Sequence, residues 1–352
     1  MPSLSRPAPG TLPRSRLQPI WFAAPAAAAL YPLTLQAYHQ AASAFVAGAG
    51  AACWLAAALA LLLAFVPTVA AVLIAVELGK LPEPSVAQLL ARRVALVAAA
   101  VPPIYTLLGV VGFLLNHQSF DLWAATALWC ALALMIALAP STPAAPPKAL
   151  SGAATWRTAH GVAAVLAVAY LCLHFSNHMF GWLGPAAHTI VMEKLRLIYR
   201  SRIGEPLLIA SFIFLIVSGV RMAWHLTGRR ADTIRTLQIA GGVFLVFAVV
   251  SHVNAVLYLA RLHMNIESDW GFAIGAPAGL LRDAWNIRLL PYYLLAVFFV
   301  ILHAFCGLRG VMLAHGVRRQ VADRTLEGGA VVAAIVALLI IMAMCGLRVS
   351  LA

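Results

Sequence analysis

The sequence predicts an all-α fold, a polytopic membrane helical bundle of about nine transmembrane helices. Three observations carry that prediction. Of the 352 residues, 63% are hydrophobic and only 10% charged, far from the composition of a water-soluble domain. The apolar residues come in runs of about 20 or more, enough to cross the hydrocarbon core as helices. The Lys and Arg fall in short clusters between those runs, as the charge bias of cytoplasmic loops requires. A β-barrel would show short alternating segments instead. The net charge of +13 is spread over loops and does not point to nucleic acid. Cys53, Cys130, Cys172, Cys306 and Cys345 stand singly in apolar segments. That argues against covalent c-type haem attachment and cysteine-bound clusters, and for buried thiols.

Taken in order, residues 1–18 are rich in Pro, Ser and Arg and read as a disordered basic tail. Residues 19–140 form an N-terminal membrane region of four helices, at roughly 20–41, 47–78, 93–115 and 121–139. The first reads as a retained helix, because Tyr31, Tyr38 and His39 prolong it beyond a signal-peptide core. The second is long enough to tilt or to bend at Pro67. Residues 141–156 are a Pro- and Ala-rich linker. Residues 157–316 carry spans at about 157–180, 205–227, 234–261 and 290–314, and residues 317–352 a last span at about 326–347. The clusters Arg6/Arg14/Arg16, Lys80/Arg92/Arg93, Lys148/Arg157, Arg229/Arg230/Arg235 and Arg318/Arg319/Arg324 then share one side. That side is expected to be cytoplasmic, with the N-terminus inside a bacterial inner membrane and the C-terminus outside. The stretch 191–202 breaks the rule with Lys194, Arg196, Arg200 and Arg202 on the outer side. It reads as an amphipathic helix in the interface, its cations at lipid headgroups.

Nine of the eleven histidines follow residue 150. An imidazole within an apolar span is by default a functional group with a partner. His160, His174 and His178 fall in one stripe of their helix at about 100° per residue, with His174 about 21 Å beyond His160. His174 follows Arg157 by 17 residues, and His252 follows Arg235 by 17. On two parallel helices they reach the same depth, where two neutral imidazoles could ligate a flat metal macrocycle from opposite faces. His303 lies towards the inner end of its span. Arg221 and Arg309 could meet haem propionates or a quinone, or snorkel to headgroups. Gly242 and Gly307 could admit a flat ligand or simply a neighbouring helix. His39, His117, His188, His225, His263 and His315 sit at or beyond helix ends. They read as interfacial, although His188 could fold back onto an outer haem edge. His178 could replace His174, one turn further out, and Arg196 or Arg200 could reach an outer propionate. The plain alternative is imidazoles hydrogen-bonded to Ser176, Asn177 or Ser251 between helices.

His160 and His174, the segment Ala186–Ala187–His188, Gln238–Gly242–His252 and His303–Gly307 together resemble a known pattern. Residues of about 157–310 resemble the cytochrome b membrane-anchor subunit of succinate dehydrogenases and fumarate reductases, the single-subunit type with two haems. The resemblance implies a cytochrome-b-like core of four to five helices, haem b, and quinone-linked electron transfer or anchoring of flavoprotein and iron–sulfur subunits. It implies His174 and His252 as ligands of an outer haem. For the inner haem it implies a ligand on the second core helix where this chain has Leu215, so no conventional inner haem is expected. His160 could pair with His303 instead, across different helices. The N-terminal four helices and the last helix lie outside the resemblance. Two other readings stay open: a cofactor-free membrane scaffold, and a histidine-lined transporter. The transporter lacks the Asp or Glu expected at a span centre. No flavin, nucleotide or peptidase motif is present, so substrate chemistry would belong to another chain.

Overall fold

The computed structural model describes residues 17–117, 119–149 and 151–349. The expectations for the tail up to residue 16, and for Arg6, Arg14 and Arg16, lie outside the described residues. Among the described residues the regular structure is helical throughout, apart from one isolated bridge between Ser85 and Pro143. The elements are α1 (Ile20–Val46), α2 (Ala51–Leu63), α3 (Val66–Gly79), α4 (Val86–Ala98), α5 (Val101–Leu114), α6 (Phe120–Leu138), α7 (Ala153–Met179), α8 (Pro185–Tyr199), α9 (Gly204–Thr227), α10 (Thr233–Val253), α11 (Trp270–Ile274), α12 (Leu289–Ala314) and α13 (Arg319–Met344). A π-helix, Asn254–His263, extends α10.

Eight helical runs among the described residues are long and apolar enough to cross a membrane, and the bent pair α4–α5 makes nine. The chain is an integral membrane protein, and its outward faces fit lipid: Leu55, Leu59, Leu62, Val162 and Val165 are all exposed. Counting nine passes puts the loops around 80–85, 139–152, 228–232 and 315–318 at one end, here the basic end, and the remaining loops at the far end. Contacts agree: Ala231 donates to the Gly79 carbonyl at 2.8 Å and Ala144 to the Pro84 carbonyl at 2.9 Å, while at the far end Val349 donates to the Trp182 carbonyl at 2.9 Å.

The predicted second span is α2 followed by α3, interrupted at 64–65. Pro67 sits in the first turn of α3, where its missing N–H costs nothing. The third span departs from the expectation. It starts at Val86, not near 93, because Ser85 and Gln88 form a reciprocal capping box. It bends by 66° between α4 and α5, ahead of Pro102 and Pro103, which remove two backbone donors. The hydroxyl of Thr68 on α3 donates to the Ala99 carbonyl at 2.9 Å, repairing the bend. The expected linker is a strap fastened to the α4 N-terminus, and α7 begins at Ala153 inside it. The expected interfacial helix begins at Pro185 and ends at Tyr199.

The helices α7, α9, α10 and α12 pack in a ring, α7 on α9, α9 on α10, α10 on α12 and α12 on α7. On its other side α10 packs against α3, α4 and α5, and smaller contacts of α5 with α12 and of α4 with α9 complete the junction of the N-terminal region with the ring. Arg288 adds a buried ion pair to Asp121 across that junction, 2.7 Å. Arg92 donates to the Thr227 and Arg229 carbonyls at the end of α9, 2.7 and 2.8 Å. Helix α13 lies along α12, where Gly329 lets the Phe305 ring press on its backbone.

Candidate functional site

The ring of helices holds its histidines at two levels. The far level is set by α7 and α10. Their shared direction and 1.5 Å rise bring His174 and His252 to one level, with ring centres 6.0 Å apart and planes steeply inclined at 71°. His178, one turn on, lies edge-on to His174 at 4.8 Å. Tyr170, one turn back, stacks on His174 at 5.4 Å, its hydroxyl 3.5 Å from Nδ1.

Beyond them the connection 180–188 turns back over the bundle. Gly181 is a required glycine, because a Cβ there would collide with the Trp270 indole. His188 is almost fully enclosed and lies 5.3 Å from His178 and 4.6 Å from Trp270. Asn177 Nδ2 donates to His188 Nε2 at 3.1 Å, which places the His188 proton on Nδ1. Burial, assisted by Arg196, pushes the His188 pKa down to about 4, so the ring is neutral near pH 7. The Nδ1 atoms of His178 and His188, Asn177 Oδ1, Trp270 Nε1 and Arg196 Nε are buried without a hydrogen-bond partner.

The level nearer the basic end joins His160 of α7 to Ser218 of α9 and His303 of α12 to α10. His303 Nδ1 lies 2.9 Å from the Gln238 carbonyl, which can only accept, so the proton is on Nδ1 and Nε2 keeps its lone pair. His160 Nδ1 lies 2.7 Å from Ser218 Oγ. With that hydroxyl's proton on the Phe214 carbonyl at 2.6 Å, the shorter of its two carbonyl contacts, Ser218 Oγ is assigned as the acceptor of His160 Nδ1–H. His160 Nε2 therefore also keeps its lone pair. Two glycines face these rings: a Cβ at Gly219 would lie 3.6 Å from His160 Cε1, and one at Gly242 would lie 3.0 Å from His303 Cε1. Gly307 faces nothing within 4 Å.

The remaining expected site residues are engaged elsewhere. Arg309 Nε donates to Asp323 of α13 at 2.6 Å. Arg221 lies over the Trp156 ring at 4.5 Å. Arg196 and Arg200 both pair with Glu267, at 2.9 and 3.2 Å, and bond Ser268. They tie α8 to the 264–269 segment, where headgroup or propionate contacts were expected. His39, His117, His225, His263 and His315 occur in the last two turns of helices or beyond them. Ser176 and Ser251 bond no imidazole among the described residues; Asn177 does. Sequence reading missed Ser218, Tyr170 and Trp270. Of these only Ser218 had a local signal, a hydroxyl in the apolar stretch of α9.

A cavity of about 530 Å³ adjoins the far level, with Ser251, His252, Tyr292, Tyr293 and Trp285 in its wall and Glu267 and Asp269 towards its rim. No group of three or more His, Cys, Asp or Glu among the described residues is arranged to hold a metal ion. A metal held here would have to bring its other ligands with it. Comparisons with family models, curated proteins and solved structures found no match.

Proposed function

We propose that the chain is a b-type cytochrome that carries electrons within the membrane, with haem b held between His174 and His252. The observation that carries this reading is the 6.0 Å between the two ring centres. An imidazole nitrogen binds a transition metal at about 2 Å, and the ring centre lies roughly 1 Å behind it. Two trans imidazoles on one iron therefore stand about 6 Å apart, ring centre to ring centre. Both rings would serve as neutral ligands, supplied by α7 and α10 from opposite corners of the helix ring, and neither needs a third protein ligand. A haem held by His174 and His252 would supply single-electron exchange rather than oxygen binding.

The level at His160 and His303 supports a second haem in the same chain. Both rings hold their Nδ1 protons on fixed acceptors, the arrangement that orients a metal-binding imidazole and raises its basicity. The ligand that the family resemblance seeks at Leu215 is then supplied by His160 from α7. Electron exchange with a quinone, or with soluble flavoprotein and iron–sulfur subunits, follows from the same resemblance. The cavity beside His252 is the candidate place for an organic redox partner.

The test is the haem-to-protein ratio and the reduced-minus-oxidised spectrum of the purified protein. Two haems per chain are expected, with His252→Ala and His303→Ala each removing one while insertion is unaffected. Full haem content in His252→Ala overturns the far site. A protein purified without haem, and unable to take it up, returns the chain to a membrane scaffold.

A further inference from the structure

At the basic end a cleft of about 900 Å³ opens between α4, α9 and the strap that carries Ala144 to Lys148. Its walls are of two kinds. Leu89, Ile216 and Val220 make an apolar slot, open sideways to the bilayer past Val217 and Trp224, which are 55% and 65% exposed. Arg93, Lys148 and Arg221, with His225, stand around it, and no Asp or Glu lines it among the described residues.

The cations have not been neutralised within the protein. Arg93 donates to Thr227 Oγ1 at 3.1 Å and to the Trp224 carbonyl at 3.3 Å, and lies 3.7 Å from the Trp224 ring centre; all these partners are neutral. Arg221 is held over Trp156. Neither Arg221 nor Lys148 has an ion-pair partner among the described residues. The floor is firm, because Pro147 of the strap packs on Gly228 at the end of α9.

We propose that this cleft binds one anionic phospholipid, with an acyl chain in the slot between α4 and α9 and the phosphate held by Arg221 and Lys148. The apolar slot supplies what a free phosphate would not need. The lack of a carboxylate gives the cationic headgroup of a zwitterionic lipid no partner. Basic pockets between helices at a membrane face select anionic headgroups on these grounds. The proposal is independent of the haem reading.

The test uses the full chain in bilayers of equal phosphatidylglycerol and phosphatidylethanolamine, followed by native mass spectrometry of the lipids that stay bound. Wild type is expected to retain phosphatidylglycerol preferentially. The double variant Arg221→Gln/Lys148→Gln leaves Arg93 and its bonds to α9 in place. It should lower that retention about 25-fold, from a roughly fivefold factor for each cation near the surface. A control pair at the same end but outside the cleft, Arg318→Gln/Arg324→Gln, should change nothing. Equal retention of the two lipids by wild type overturns the proposal, as does an equal loss in the control pair. An Arg221→Gln/Lys148→Gln protein that loses haem and keeps its lipid would assign these cations to the inner histidine level instead, and would also overturn it.

Discussion

Replacing Gly242 by Ala tests whether the inner histidine level is built to a fixed shape. The new Cβ would lie 3.0 Å from His303 Cε1 and 3.5 Å from Nδ1. Carbon atoms pack best at about 3.5–4.0 Å, so the ring must retreat by roughly half an ångström. It is not free to do so, because Nδ1 is held at 2.9 Å by the Gln238 carbonyl. Overpacking of this kind costs about 1–3 kcal/mol, against a gain of about 0.5–1 kcal/mol from removing a helical glycine. The net loss should be about 1 kcal/mol. Gly219→Ala is the internal control: its Cβ meets His160 Cε1 at 3.6 Å, an ordinary contact, so the variant should be neutral or gain up to about 1 kcal/mol. Unfolding in mixed detergent–SDS micelles, followed by tryptophan fluorescence, separates the two. The haem-to-protein ratio should fall in Gly242→Ala alone. Equal stability of the two variants, or a Gly242→Ala protein more stable than wild type, would refute the reasoning.

Three further outcomes are expected. Asp121→Ala leaves Arg288 buried and unpaired, and should destabilise the protein by about 3 kcal/mol. Asp121→Ala/Arg288→Met should cost clearly less than the sum of the single losses, and strict additivity would contradict the pairing. His188 holds a pKa of about 4 against 6.5 for an unperturbed ring, so the unfolded chain binds a proton first as pH falls. Its share of stability is complete above about 6.5 and is lost towards 4 at about 1.4 kcal/mol per pH unit. His188→Asn should flatten the unfolding profile in that window, and an unchanged slope would exclude the assignment. Finally, reporters inserted after Lys148 and after Ser268 should be active on opposite sides of the membrane, with the first cytoplasmic; activity on one side for both would remove the nine-pass arrangement.

What could be read in the sequence was what a single helix encodes. Runs of apolar residues located the passes, and the 1.5 Å rise matched His174 to His252 because both helices start at a basic cluster at the same end. What could not be read depended on distant chain. Arg92 and Arg93 looked like loop charges and pushed the predicted start of the third span to 93. They lie inside α4, accommodated by carbonyl and hydroxyl groups of α9 some 135 residues away. The Arg196 and Arg200 cations looked free for headgroups until Glu267, on a segment with no periodic signal, proved to face them. Trp270 reaches the site only because the 264–288 connection folds back over α8.

The two histidine levels differ in how completely their polar groups are used, and that difference says where each is closed. At the inner level the Nδ1 atoms of both imidazoles have an acceptor, so only the two Nε2 positions remain for a ligand. At the far level the Nδ1 atoms of His178 and His188, Asn177 Oδ1, Trp270 Nε1 and Arg196 Nε are all buried and unbonded. Elsewhere among the described residues such atoms occur singly, as at Trp21, Tyr31 and Trp129, or in a smaller group, as at Arg92 and Thr236. A buried donor or acceptor without a partner costs about 1–3 kcal/mol, so five in one neighbourhood are costly unless water or a ligand reaches them. Apolar residues in place of Asn177, His178 and His188 would avoid that cost. Keeping them is intelligible if His178 and His188 form a chain of imidazoles from His174 towards the far surface, with ring centres 4.8 and 5.3 Å apart. Such a chain can pass a proton when the charge beside His174 changes. If haem is held at the far level as proposed, its reduction would be coupled to proton uptake along this chain, and reduction at the inner level, whose Nδ1 protons are already committed, would not.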